Sequence, residues 1–126
     1  MKNKFEINPI NIKKISEKKK KKVLLINPKR RSVLFTTPHN GLAILAGIIK
    51  ERGHDVRILD YAFSYNLKNK PISFFVEEFK PDVIGLSIYT PNAREASELL
   101  SELHKNYPKI PIMIGGPHAT LYTDIL

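Results

Sequence analysis

From residue 22 onward, short uninterrupted apolar runs alternate with segments of helical period, and that alternation leaves few folds open. "VLLIN" (23–27) is too short for a helix and too continuously apolar for a strand with one wet face. Such a run fits a strand buried on both faces. "DVRIL" (55–59), "DVIGLSIY" (82–89) and "IPIMIG" (110–115) repeat it. Between them, "GLAILAGIIKERG" (41–53) puts Leu42, Leu45, Ile48 and Ile49 on one helical face and stops at Gly53. "PISFFVEEFK" (71–80) places Ile72, Phe75, Val76 and Phe79 at i, i+3, i+4, i+7 behind Pro71, and Pro81 ends it. "NAREASELLSELHKN" (92–106) carries the stripe Ala93, Ala96, Leu100, Leu103, with Asn92 as expected cap and Glu95 in the capping-box position. "HATLYTDIL" reads as the start of a fourth helix. Strands alternating with helices require a parallel sheet with right-handed crossovers. The expected fold is a flavodoxin-like (Rossmann-like) open α/β sheet of at least four strands, with helices on both faces.

Sheets of this kind bind ligands beyond the carboxyl ends of their strands, where the strand order reverses. In a flavodoxin-like order that crevice lies between strands one and three. The residues there are Asn27, Pro28 and the loop through Pro38 to Gly41, then Ser87, Tyr89 and Thr90. Strand four adds Gly115 and Gly116, followed by Pro117 and His118. The paired glycines admit two readings: a strand-to-helix turn that needs positive φ, or close approach by a ligand that a Cβ would block.

Of the histidines, His54 falls at the opposite end of the sheet and His104 on the outer part of a helix. His39 and His118 fall at the carboxyl rim, and no carboxylate pair accompanies them in sequence to complete a metal site. Arg94 opens the third helix, where it faces an anion or only water. No P-loop and no Gly-x-Gly-x-x-Gly follows strand one. The acidic positions that a phosphate-accepting receiver domain needs hold Asn27, Ser87 and Tyr89 instead. No nucleophile–base–orienter set emerges, so no catalytic residue and no metal ligand is expected within this chain.

Charge locates the boundary of the folded part. Residues 1–22 hold nine lysines against Glu6 and Glu17, whereas residues 23–126 are nearly balanced, so most of the net +9 belongs to the leader. Residues 1–22 are read as a basic leader, solvated and mobile over residues 1–20, and 23–126 as the domain. Nucleic acid is not an expected partner of the fold. The absence of cysteine excludes disulfides and thiolate-bound clusters within the chain. The longest apolar run, Gly41 to Ile49, is too short to cross a bilayer, and no signal-peptide pattern is present. A cytoplasmic location is expected.

"KVLLINP", "PHNGLAILAGIIKERGHDVRILD", "PDVIGLSIYTPN" and "IPIMIGGPHATLYTDIL" resemble the N-terminal cobalamin-binding domain of radical SAM enzymes, the group that includes the anaerobic magnesium-protoporphyrin ester cyclase and many methyltransferases. The resemblance runs from about residue 22 to residue 126. It implies cobalamin at the carboxyl edge of the sheet, with its nucleotide tail lined by Ser87, Tyr89, Thr90, Gly115, Gly116 and Pro117 and the loop from Pro28 to Gly41 under the corrin ring. It also implies a radical SAM barrel, bearing an iron–sulfur cluster and SAM, as a separate domain or subunit. Cobalamin domains with a histidine cobalt ligand carry Asp-x-His-x-x-Gly after strand one. Here "TPHNG" has Thr37 for the Asp and its Gly one residue early, so His39 is expected to be a loop residue rather than a ligand. Two alternatives stand beside this reading: an α/β interaction module without cofactor, and a nucleotide-binding half-domain of a transferase.

The sequence also predicts a missing fifth strand. "IPIMIG" would then be an apolar, uncharged edge, and self-association through residues 110–115 is expected.

Overall fold

The computed structural model describes residues 19–30, 38–63, 67 and 69–122. The expected mobility of the leader falls largely on residues 1–18, outside the described residues. The elements follow the order β1 (Lys22–Asn27), α1 (Asn40–Glu51), β2 (Asp55–Asp60), α2 (Ile72–Phe79), β3 (Val83–Ser87), a 3₁₀ turn (Thr90–Asn92), α3 (Ala93–Asn106), β4 (Ile112–Gly115) and α4 (Pro117–Leu121). The strands form one sheet in the order β2-β1-β3-β4, with every pairing parallel. The chain runs from β1 to one side and returns past it to β3, so the order reverses between β1 and β3, as the flavodoxin-like expectation requires.

One face of the sheet is sealed. Leu24, Ile26, Leu59, Ile84 and Leu86 meet Ile72, Phe75, Val76 and Phe79 of α2, and Ala96 and Leu103 of α3, in one buried cluster. Burial of a large side chain of this kind is worth about 2 kcal/mol. All four residues of the α2 stripe are buried, as their spacing predicts. The helix ends at Lys80, whose φ of +52° puts it in the left-handed region, and Pro81 follows.

The opposite face is only half covered. α1 packs over β1 and β2, where Leu42 is 4 % exposed. The expected stripe of α1 does not all turn inward: Leu45 is 49 % and Ile48 45 % exposed, and Ile44 lies open beside them. The sheet-facing line runs through Leu42, Ala46 and Ile49, four and three residues apart. Leu45 and Ile48 lie on the flank opposite Lys50, which borders β2, so this flank turns toward β3 and β4. Right-handed crossovers put α2 and α3 on the sealed face, leaving this side of β3 and β4 without a helix among the described residues. Met113 of β4, 69 % exposed, lies on the same open side.

At the amino end of the sheet the last lysines of the leader join the fold. Asp55 N donates to Lys21 O, Asp82 N donates to Lys22 O, and Lys22 N donates to the Asp82 carboxylate at 2.8 Å. His54 Nδ1 accepts from Lys21 N, which gives this histidine a structural role. Arg94 pairs with Glu98 along the exposed side of α3.

Candidate functional site

The parallel register lines up Asp60, Asn27, Ser87 and Gly115 in a single row across the carboxyl ends of β2, β1, β3 and β4. All four project to the half-covered face. Asn27 and Ser87 are 2 % and 6 % exposed, so their polar groups need partners. Asn27 Nδ2 donates to Asp60 Oδ1 at 2.9 Å, and Asn27 Oδ1 accepts from Asn92 Nδ2 at 3.5 Å. Asn92 Oδ1 in turn accepts from Tyr89 N at 2.8 Å. The expected cap of α3 is therefore corrected: Asn92 stands at the N-cap position, but its side chain makes no capping bond. Completely buried, it is drawn inward to satisfy Asn27 and the Tyr89 amide instead.

His39 belongs to this network, and so does Asp60, which no sequence pattern singles out. The Asp60 carboxylate accepts from the amides of His39 (3.0 Å) and Phe63 (3.2 Å), pinning the loop that enters α1. His39 caps α1: its Nδ1 accepts from Leu42 N at 3.1 Å. With Nδ1 an acceptor, the ring proton sits on Nε2, which donates to Ser87 Oγ at 2.9 Å. The histidine thus holds Ser87 rather than activating it, because a general base needs a free lone pair toward the hydroxyl. Pro38 is exposed beside it, and a Cβ on Gly41 would come within 3.1 Å of the His39 ring.

The two glycines after β4 separate into the two readings. Gly116 has φ +101°, and a Cβ there would stand 2.6 Å from the Ile88 carbonyl oxygen. Its lack of a side chain serves the strand-to-helix turn: His118 N donates to Ile88 O, and Ile88 N donates to Gly115 O. Gly115 differs. Among the described residues, a Cβ on it would have no neighbour within 4 Å. The space there is open among those residues, beside the Ser87–Gly115 pairing.

Around the rim, Thr90 Oγ1 bonds His118 Nδ1 at 3.1 Å, and Pro117 opens α4. Tyr89 tilts against the His39 ring, 5.4 Å between centroids, and the Arg30 guanidinium lies 5.5 Å from the Tyr89 centroid. Arg30 Nε is buried with no hydrogen-bond partner among the described residues, a cation at the rim that no sequence pattern singles out. Pro28 is buried and lines a hollow on the sealed face rather than the row of polar residues. Among the described residues, no three His, Cys, Asp or Glu side chains stand close enough together to hold a metal ion.

A family model for the B12-binding domain matches residues 28–125, the span that holds this row and its rim. The chain belongs to the B12-binding domain family. Its cofactor is cobalamin, and the resemblance to the cobalamin-binding domain of radical SAM enzymes holds. The chain is 28% identical to the cytidylyl-2-hydroxyethylphosphonate methyltransferase of Streptomyces wedmorensis, over 90% of this chain and 25% of that protein. It is likewise 28% identical to the anaerobic magnesium-protoporphyrin IX monomethyl ester cyclase of Rubrivivax gelatinosus, over 83% of this chain and 20% of that protein. It thus spans a quarter or less of the length of these relatives. Among solved structures, the anti-anti-sigma factor PhyR from Bartonella quintana superposes with a TM-score of 0.54 at 16% identity, covering 82% of this chain and 36% of that one. At that identity the likeness concerns the fold alone.

The residues of the row suit such a cofactor. An aromatic tail base needs a flat floor and an apolar wall. Among the described residues Gly115 leaves the floor bare, and Leu45 and Ile48 of α1 are exposed on the same side of the sheet. Ser87, held by His39, offers a polar group at the same depth. Among the described residues no helix is long and apolar enough to cross a membrane.

Proposed function

We propose that the domain holds cobalamin across the carboxyl edge of the sheet, with the nucleotide tail on the α1 face over Gly115 and beside Ser87. The observation that carries this is the space at Gly115, open among the described residues and next to the buried Ser87 hydroxyl. Asn27, Pro38 and Gly41 shape the loop side of the site, and Pro28 carries the chain from the end of β1 toward the other face. Tyr89, Thr90, Gly116, Pro117 and His118 shape its rim. The buried Asp60–Asn27–Asn92 bonds fix both sides, so the site is set before a ligand arrives. When bound, cobalamin supplies methyl transfer or assists electron transfer. The residues of this chain bind it, orient it and shield one of its faces.

The expected experiment is a titration with hydroxocobalamin, read in the visible spectrum. Gly115→Leu should weaken binding at least tenfold and leave the fold intact, because none of the described residues fills that space. Unchanged affinity would put the tail elsewhere.

On this reading the domain serves a larger radical SAM enzyme in the cytoplasm, with the barrel supplied by another domain or subunit. The open edge of β4 also makes the 126-residue chain prone to self-association.

A further inference from the structure

The segment that leaves β1 is basic. Residues 28–40 hold Lys29, Arg30 and Arg31 and no acidic side chain. Arg30 brings one of these cations to the carboxyl edge, where its guanidinium lies 5.5 Å from the centroid of the Tyr89 ring. Tyr89 is itself held in place. Its amide donates to Asn92 Oδ1 at 2.8 Å, and its ring tilts against His39, the residue that bonds Ser87 Oγ. Stacking on an aromatic ring orients a guanidinium and leaves the donors along its edge free to bond.

Those donors are unused. Among the described residues no hydrogen bond and no ion pair engages Arg30. Its Nε is closed off from solvent, so a ligand meets the two Nη groups, which do not share that closure; the residue as a whole is half-buried. Asp60, the carboxylate of the polar row, accepts instead from Asn27 Nδ2 and from the amides of His39 and Phe63. A partly desolvated cation without a counter-charge is costly, and an anion at the rim would offset that cost.

A guanidinium has donors and no acceptor, and its planar fork and fixed charge match a phosphate. The peripheral arms of cobalamin are neutral carboxamides, and the phosphodiester of the nucleotide tail is the one anion in its organic framework. That group joins a corrin arm to the ribose. It must therefore cross the rim when the corrin lies over the carboxyl edge and the tail base lies beside Ser87 and Gly115. Arg30 stands at this rim, linked to Ser87 through Tyr89 and His39. We propose that the Arg30 guanidinium binds the tail phosphodiester, and that this contact lets the domain select corrinoids that carry the phosphate. This inference rests on the reading of the carboxyl edge as the cobalamin site.

The test is equilibrium dialysis of the 126-residue chain against three corrinoids: hydroxocobalamin, cobinamide phosphate, which keeps the phosphate but lacks the base, and cobinamide, which lacks both. Arg30→Gln should lower affinity for the first two about tenfold and leave cobinamide unchanged. Arg30→Lys, which keeps the charge and loses the fork, should recover part of the loss. Lys50→Gln removes the same charge at the amino end of the sheet, beside His54, and should leave all three affinities native. Native hydroxocobalamin affinity in Arg30→Gln overturns the contact and leaves the cobalamin site standing. An equal loss for cobinamide overturns the phosphate assignment, and so does a loss confined to hydroxocobalamin. An equal loss in Lys50→Gln overturns it in favour of diffuse charge. No binding of any corrinoid by the native chain overturns the underlying reading. Unchanged cobinamide binding in Arg30→Gln also shows that the variant is folded.

Discussion

Gly115 and Gly116 are neighbours with different reasons for being glycine. Gly116→Ala should cost more than about 1 kcal/mol of stability, because the left-handed backbone and the Ile88 carbonyl both oppose a Cβ. Chemical denaturation would read this directly, and an unaltered midpoint would contradict it. Gly115→Leu should leave the same midpoint alone and act only on cobalamin. His39 carries a separate expectation. Both of its ring nitrogens are engaged, with Leu42 N and Ser87 Oγ, so it is a helix cap, and we propose that it does not ligate cobalt. His39→Ala should destabilise the domain by about 1 kcal/mol through loss of the cap. A nitrogen coupling in the cobalt(II) spectrum that vanishes in this variant would overturn the assignment. Tyr61 should be the late-titrating phenol. Its folded pKa of about 12 lies above the unfolded value of 10, so the fold favours the protonated form. That contribution to stability is complete below pH 10 and is lost as pH rises from there through about 12. Absorbance at alkaline pH should show a late phenolate component that disappears in Tyr61→Phe.

The helices differ in how firmly the sheet holds them. α2 is short but buries all four residues of its stripe, so its packing, rather than its length, keeps it helical. Phe75→Ala should cost about 3–5 kcal/mol. α1 is longer and buries only Leu42 completely. Its open flank should tolerate charge: Ile48→Lys should change stability by less than about 0.5 kcal/mol in thermal melts. A large loss would show that Ile48 is covered after all. The same lysine should weaken cobalamin binding, because it removes apolar surface on the same side of the sheet as Gly115.

For the whole molecule, the unsealed side decides behaviour in solution. Among the described residues β4 is bonded only to β3, and its sequence has no charge to discourage another strand. Met113 on the open face and Ile114 on the other add apolar surface around that edge. The 126-residue chain should therefore associate with a second copy at high concentration, and Met113→Lys should reduce that association. Light scattering that reports a 14.4 kDa monomer across the concentration range would refute it.

The alternation of apolar runs and helical periods made the strands and a flavodoxin-like parallel sheet legible, and with that fold the carboxyl edge as the expected site. These are local or topological properties: runs such as "VLLIN" declare burial by composition, and right-handed crossovers leave little choice of arrangement. That the GlyGly pair and Ser87 stand at strand ends was legible for the same reason. What belongs to pairwise tertiary contact was not legible. No spacing announces that Asp60 would bind the His39 amide, because the partners are 21 residues apart and meet only when β2 lies beside β1. Asn92 looked like a cap because capping is local, yet burial against Asn27, 65 residues away, took precedence. Leu45 and Ile48 shared a face with Leu42 on the helical wheel. Only the placement of α1 over β1 and β2 decided which part of that face the sheet would cover, because a helix buries what its neighbours reach and leaves the rest of its stripe open.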